Sequence, residues 1–100
     1  MIKFALFARL EAKPGKEAAV AAFLEKGLAM AREETTTPIW FALRLSPTTF
    51  GIFDAFENEA GREAHLSGPI AQALMANAAE LLAAPPSIEK IEVLGLKNTH

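Results

Sequence analysis

An α+β fold is what this 100-residue sequence predicts: one four-stranded antiparallel sheet with its helices on one side. Three observations predict it. The segment Ile2–Glu11 alternates with the two-residue period of a strand. Lys16–Arg32 is rich in Ala, Glu, Lys and Leu, all good helix formers. Strand and helix signatures then recur between Ile39 and Leu96, set apart by proline, glycine and serine punctuation.

In the first strand Ile2, Phe4, Leu6, Ala8 and Leu10 share one face, while Lys3, Ala5, Phe7, Arg9 and Glu11 take the other. Pro14-Gly15 stops it, because proline has no N–H to give to a ladder. In the helix that follows, Val20, Phe23, Leu24, Gly27 and Met30 form one apolar stripe. Three β-branched threonines and a proline, Thr35 to Pro38, end it. Ile39, Phe41, Leu43 and Leu45 next face one way, with Trp40, Ala42 and Arg44 opposed. Ser46-Pro47-Thr48 turns the chain into a third strand, Thr49–Phe56, so an antiparallel hairpin is expected. Asn58 is placed to cap a helix over Glu59–Leu66. Ser67-Gly68-Pro69 breaks and restarts that helix, since proline is tolerated at a first helical position. Leu66, Ile70, Leu74, Ala78 and Leu81 carry the apolar repeat onward. Pro85-Pro86 forces an extended exit, and Ile88–Leu96 reads as the last strand.

The order is strand, helix, strand, strand, helix, strand: the split, ferredoxin-like βαββαβ arrangement. Two right-handed crossovers are expected to place the first and last strands in the middle of the sheet. Helices cover one face, and the other should be polar in a monomer. Here neither face is: Phe7 opposes Phe4 and Leu6, Trp40 opposes Phe41, and Phe53 opposes Phe50 and Ile52. Such a patch exceeds what a soluble monomer tolerates, so a homodimer joined through the sheet face, a dimeric α+β barrel, is expected.

Composition bounds the function. Ten Lys plus Arg against twelve Asp plus Glu give a net charge of −2, which argues against nucleic acid and against a polybasic membrane anchor. With 51% hydrophobic and 22% charged residues, the chain is not disordered. It has no cysteine, so disulfides and thiolate chemistry are excluded. The apolar start is too short and too soon interrupted to be a signal or a membrane span. The expectation is a single cytoplasmic globular domain over residues 1–100. Glycine-rich phosphate loops, metal-ligand spacing and a Ser-His-Asp pattern are all missing from the sequence.

His65 is the one internal histidine, since His100 ends the chain. An ordinary pKa near 6.5 suits it to general-base work, and its structural alternative is to cap a free carbonyl at the Ser67-Gly68-Pro69 kink. Asp54 lies in an apolar strand and must be paired or hydrogen-bonded there. The favoured reading is an ion pair with Arg9 or Arg44; the functional one is that it orients His65 or accepts a substrate proton. Phe4, Trp40, Phe41 and Phe53 are candidate walls for a flat ligand. Met75, in line with Ala71 and Ala78, is a candidate adaptable wall.

Two blocks carry a family resemblance: Arg9-Leu10-Glu11-Ala12-Lys13-Pro14-Gly15-Lys16-Glu17, and Phe50-Gly51-Ile52-Phe53-Asp54-Ala55-Phe56-Glu57-Asn58 followed by Glu63-Ala64-His65-Leu66 and Gly68-Pro69. Through them the chain from Ile2 to Lys97 resembles the antibiotic biosynthesis monooxygenase family, dimeric α+β barrels that include quinol monooxygenases. The resemblance implies a cofactor-free monooxygenase in which a deprotonated phenol or quinol reacts with dioxygen, and His65, on its own chemistry, is the candidate base. A sister group of this fold degrades haem with an Asn, a Trp and a His. Local matching puts Ala8, His65 and Met75 at those positions, which disfavours haem chemistry. The alternatives are a non-catalytic small-molecule-binding barrel and a structural dimer whose helices fill the cleft.

Overall fold

The computed structural model describes residues 1–97, and His100 lies outside them. The alternating first segment forms β1, Phe4–Glu11, and the Ala-rich stretch forms α1, Glu17–Glu33. Gly15, at φ 84, makes the turn between them. The hairpin strands are β2, Ile39–Arg44, and β3, Thr49–Phe56. Next come α2, Glu59–Leu66, and α3, Pro69–Leu81, and the chain closes on β4, Ser87–Glu92.

The sheet is fully antiparallel in the order β2-β3-β1-β4. This corrects one expectation: β1 and β3 are the central strands, and the last strand is an edge. The hairpin explains it. Its tight turn holds β3 beside β2, so the α1 crossover must leave a place for β3 between β1 and β2. The α2–α3 crossover then carries β4 past β1 to the far side. A second correction concerns the length of β4, which ends at Glu92 rather than Leu96. Glu92 pairs with Phe4, the first residue of β1. After one more bond, from Val93 N–H to the Lys3 carbonyl at 2.8 Å, the ladder has run out of partner.

One face of the sheet carries Leu6, Ala8 and Leu10 of β1 opposite Asp54, Ile52 and Phe50 of β3. Val20 and Leu24 of α1 and Leu74 of α3 pack on this face with Leu82 to make the core. The other face presents Phe7, Phe53 and Phe41 side by side across three strands. Phe41 and Phe53 stack at 6.4 Å, and Phe41 is 55% exposed. The apolar second face expected from the alternation is therefore present. Trp40 turns to the helix side, where its ring lies against Gly27 of α1, leaving Phe41 on the open side.

Candidate functional site

The site begins at the α2–α3 break. Asn58 caps α2, its Oδ1 accepting the Gly61 N–H at 2.8 Å. Arg62 anchors the helix to the sheet, with its Nη1 donating to the Ile91 carbonyl at 3.3 Å and its guanidinium over the Phe4 ring. One turn on, His65 is aimed at the same sheet face and is buried. A side chain at Gly68 would meet the Ala64 carbonyl at 3.1 Å, so glycine permits the abrupt change from α2 to α3.

Both nitrogens of the buried imidazole meet carboxylates. Nε2 lies 2.7 Å from Asp54 Oδ2, and Nδ1 lies 2.8 Å from Glu34 Oε1. Asp54 is 2% exposed, on the central strand β3. Glu34 is the first residue beyond α1; its extended backbone turns the side chain back under α2. Thr37 Oγ1 donates to the same Glu34 oxygen at 2.6 Å. Asp54 Oδ1, Glu34 Oε2 and Trp40 Nε1 are buried without a hydrogen-bond partner among the described residues. Burial of the ring opposes its charge, but the hydrogen bonds and charges of Asp54 and Glu34 outweigh that and raise the His65 pKa above 6.5.

Asp54 and His65 line a narrow cleft between sheet and helices. Its other walls are apolar: Leu6, Ala8, Ile52, Leu66, Ile70, Ala71, Leu74 and Ile88. The free space is about 30 Å³, room for about two waters and well below the several hundred Å³ of a typical ligand pocket. A larger recess of about 740 Å³ is lined by Met1–Phe4, Glu57 and Glu92–Leu96. Neither His65 nor Asp54 lines it, so volume alone does not mark the chemistry.

The structure thus brings His65 and Asp54 together; Trp40 lies across the β2–β3 ladder from Asp54 but does not line the cleft, its ring resting on Gly27. It does not bring the other candidates there. Phe41 and Phe53 lie on the opposite sheet face. Phe4 sits under Arg62, and Met75 is 60% exposed on α3 while its neighbour Ala71 lines the cleft. The expected Asp54–arginine pair is also absent. Arg9 is on the open face, 3.6 Å from Glu11, and Arg44 covers the Phe50 ring two rows away. Nor does His65 cap a carbonyl, because both nitrogens are taken by carboxylates. Sequence reading missed Glu34 altogether. Nothing local separates it from Glu33; only the path of the chain leaving α1 tucks one of the two partly under cover.

Fold and site together define an α+β, ferredoxin-like protein with a carboxylate–imidazole–carboxylate chain beside an apolar cleft. No family model matches the sequence, and no curated protein does. Among solved structures, a protein of unknown function from Nitrosomonas europaea (NE2512) is 61% identical over 100% of this chain and 97% of its own, with a TM-score of 0.96. The chain belongs to the family of that protein. Rv0793 from Mycobacterium tuberculosis is 18% identical, with 96% and 99% of the two chains covered and a TM-score of 0.83. A candidate antibiotic biosynthesis monooxygenase from Nitrosomonas europaea is 16% identical over 92% and 90%, with a TM-score of 0.81. At those identities the likeness shows a shared fold. Among the described residues no helix is long and apolar enough to cross a membrane, and no cluster of side chains is arranged to hold a metal ion.

Proposed function

We propose that this protein is a cofactor-independent monooxygenase acting on a small aromatic or quinol-like molecule, with Asp54, held by His65, as proton acceptor. The observation that carries this reading is Asp54 Oδ1, a buried acceptor without a partner among the described residues, on a side chain that lines an apolar cleft. A bound quinol hydroxyl donates to that oxygen. Ionisation of the hydroxyl makes the ring electron-rich enough to reduce dioxygen, and the apolar walls keep water from competing. One oxygen atom enters the ring and the other leaves as water. The quinol supplies all four electrons in becoming a hydroxylated quinone.

An aromatic ring needs more than the 30 Å³ now free. Binding therefore requires Ile70 and Leu74 of α3 to move outward, and the Ser67-Gly68 break offers the hinge. Ile88, 44% exposed on the edge strand, stands at the mouth. The same small volume favours the second reading, a binding barrel that takes a small molecule without chemistry. In either case Phe7, Phe41 and Phe53 are the surface through which two copies join, because a face of this kind is unfavourable in water.

Oxygen uptake with a panel of quinols, compared between wild type and His65→Ala, tests the reading. Uptake by the wild type that falls in the variant supports it. Equal rates remove His65 from the reaction, and no uptake with any quinol leaves the binding barrel.

A further inference from the structure

Glu34 lines no part of the cleft and takes no part in the reaction outlined above, yet it packs, half-buried, against the ring that does. Its Oε1 receives both the Thr37 hydroxyl at 2.6 Å and the His65 Nδ1 contact at 2.8 Å. On the far side of the ring, Nε2 is 2.7 Å from Asp54 Oδ2. An ionised carboxylate accepts hydrogen bonds and has none to donate. A neutral imidazole carries one N–H, so with ionised carboxylates one of the two contacts would set a ring lone pair against an oxygen. Both contacts are attractive when the ring carries both protons.

We propose that Glu34 is a positioning residue that fixes His65 as a doubly protonated ring and leaves Asp54 Oδ1 as the acceptor at the cleft, so that the cleft takes uncharged or cationic molecules bringing an O–H or N–H donor and excludes carboxylate-bearing ones. This deepens the reading above and rests on it only in taking the cleft as a ligand site. The charges around the ring support it. From β3 comes Asp54, and from the segment after α1 comes Glu34. On α2 itself Arg62 is held by Glu59 and by backbone carbonyls, and Glu63 is taken by Lys90 of β4 at 3.2 Å. α3 carries no charged side chain before Glu80, and it faces the site with Ile70 and Leu74. Two carboxylates and one imidazolium leave one net negative charge beside an apolar space, where a bound carboxylate meets repulsion that water does not screen. The raised pKa of His65 agrees with this charge state.

The first test is nitrogen NMR of the His65 ring in the whole protein at about pH 7.5, a pH at which an ordinary histidine is mostly neutral. The expected result is a ring protonated on both nitrogens in the wild type, a downward shift of its titration midpoint in Glu34→Gln, and recovery in Glu34→Asp. Should Glu34→Gln fail to fold, Thr37→Val, which leaves the Glu34 carboxylate in place and removes only a competing donor, should keep the ring doubly protonated at that pH, and a singly protonated ring in it overturns the inference. A wild-type ring with one proton at that pH overturns the inference.

The second test adds phenol or benzoate, rings of like size and opposite charge state, and follows the signals of His65, Leu66 and Ile70. Shifts with phenol alone support the inference. Equal shifts with benzoate, or none with phenol, overturn the assignment of ligand class. Oxygen uptake enters neither test. A protein that passes both and consumes no oxygen loses the oxygenase reading and keeps this one, whereas oxygen consumption with a singly protonated His65 does the reverse.

Discussion

Asp54 meets His65 through one oxygen only: Oδ2 lies 2.7 Å from Nε2, while Oδ1 is buried with no partner among the described residues. Two demands are answered by this division. The bonded oxygen fixes the ring, and the other, on a side chain that lines the cleft, keeps its acceptor capacity unused.

Removing the ring should therefore be costly. His65→Ala leaves Asp54 and Glu34 buried without their shared partner, and breaking a buried charged pair in this way costs about 3–5 kcal/mol. The expected outcome is a urea midpoint shifted down by a corresponding amount, read by circular dichroism. A loss under about 1 kcal/mol would show that the ring is not held as described.

Stability should also depend on pH in one direction. The folded pKa of His65 is raised above its ordinary 6.5, so its contribution is fully present below that value and is lost as pH climbs through the raised folded value. Unfolding midpoints collected from mildly acidic to alkaline pH should fall over that interval for the wild type. In His65→Gln that part of the fall should vanish.

Asn58→Ala removes the bond from Oδ1 to the Gly61 N–H at the start of α2, at a cost of about 1 kcal/mol. Because α2 carries both Arg62 and His65, amide exchange should rise along the whole helix rather than at its first turn alone. Chemical denaturation with exchange measurements checks both effects.

The chain has a single tryptophan, which makes Gly27→Ala informative. The added methyl would stand 3.3 Å from Trp40 Cη2. Helix propensity gains about 1 kcal/mol from the change, and the tight contact offsets it. Net stability should move by less than about 1 kcal/mol, while the fluorescence maximum of Trp40 shifts as the indole is displaced.

On the open face, Phe41→Lys puts a charge into the stacked pair with Phe53. Size-exclusion with light scattering should show a dimer for the wild type and a monomer for the variant. A wild-type monomer at micromolar concentration would refute the joining of copies through this face.

How much of this was legible in the sequence differs between fold and site. Alternation in Ile2–Glu11, the Asn58 cap and the Ser67-Gly68-Pro69 break each act within a few residues, and β1, α2 and α3 follow those local rules, whereas β4 stops at Glu92 where its partner strand begins. Strand order was misread because it depends on where the hairpin sits relative to the crossover, a relation no single segment carries. At the site, His65 was readable as a lone histidine and Asp54 as a carboxylate in an apolar strand. Their union was favoured less than an arginine pair, because the facing of Arg9 and the stacking of Arg44 on Phe50 are set by register and packing. Glu34 was invisible: its burial comes from the angle at which the chain leaves α1, thirty-one positions from His65 in sequence.

In the proposed oxygenation Asp54, held by His65, accepts the substrate proton. The most direct measurement is oxygen consumption by wild type and by Asp54→Asn with the quinol the wild type oxidises fastest, at saturating concentration. The expected kcat is at least about a hundredfold lower in the variant, with the added quinol still bound by the folded protein. Equal kcat values in the two proteins would contradict it.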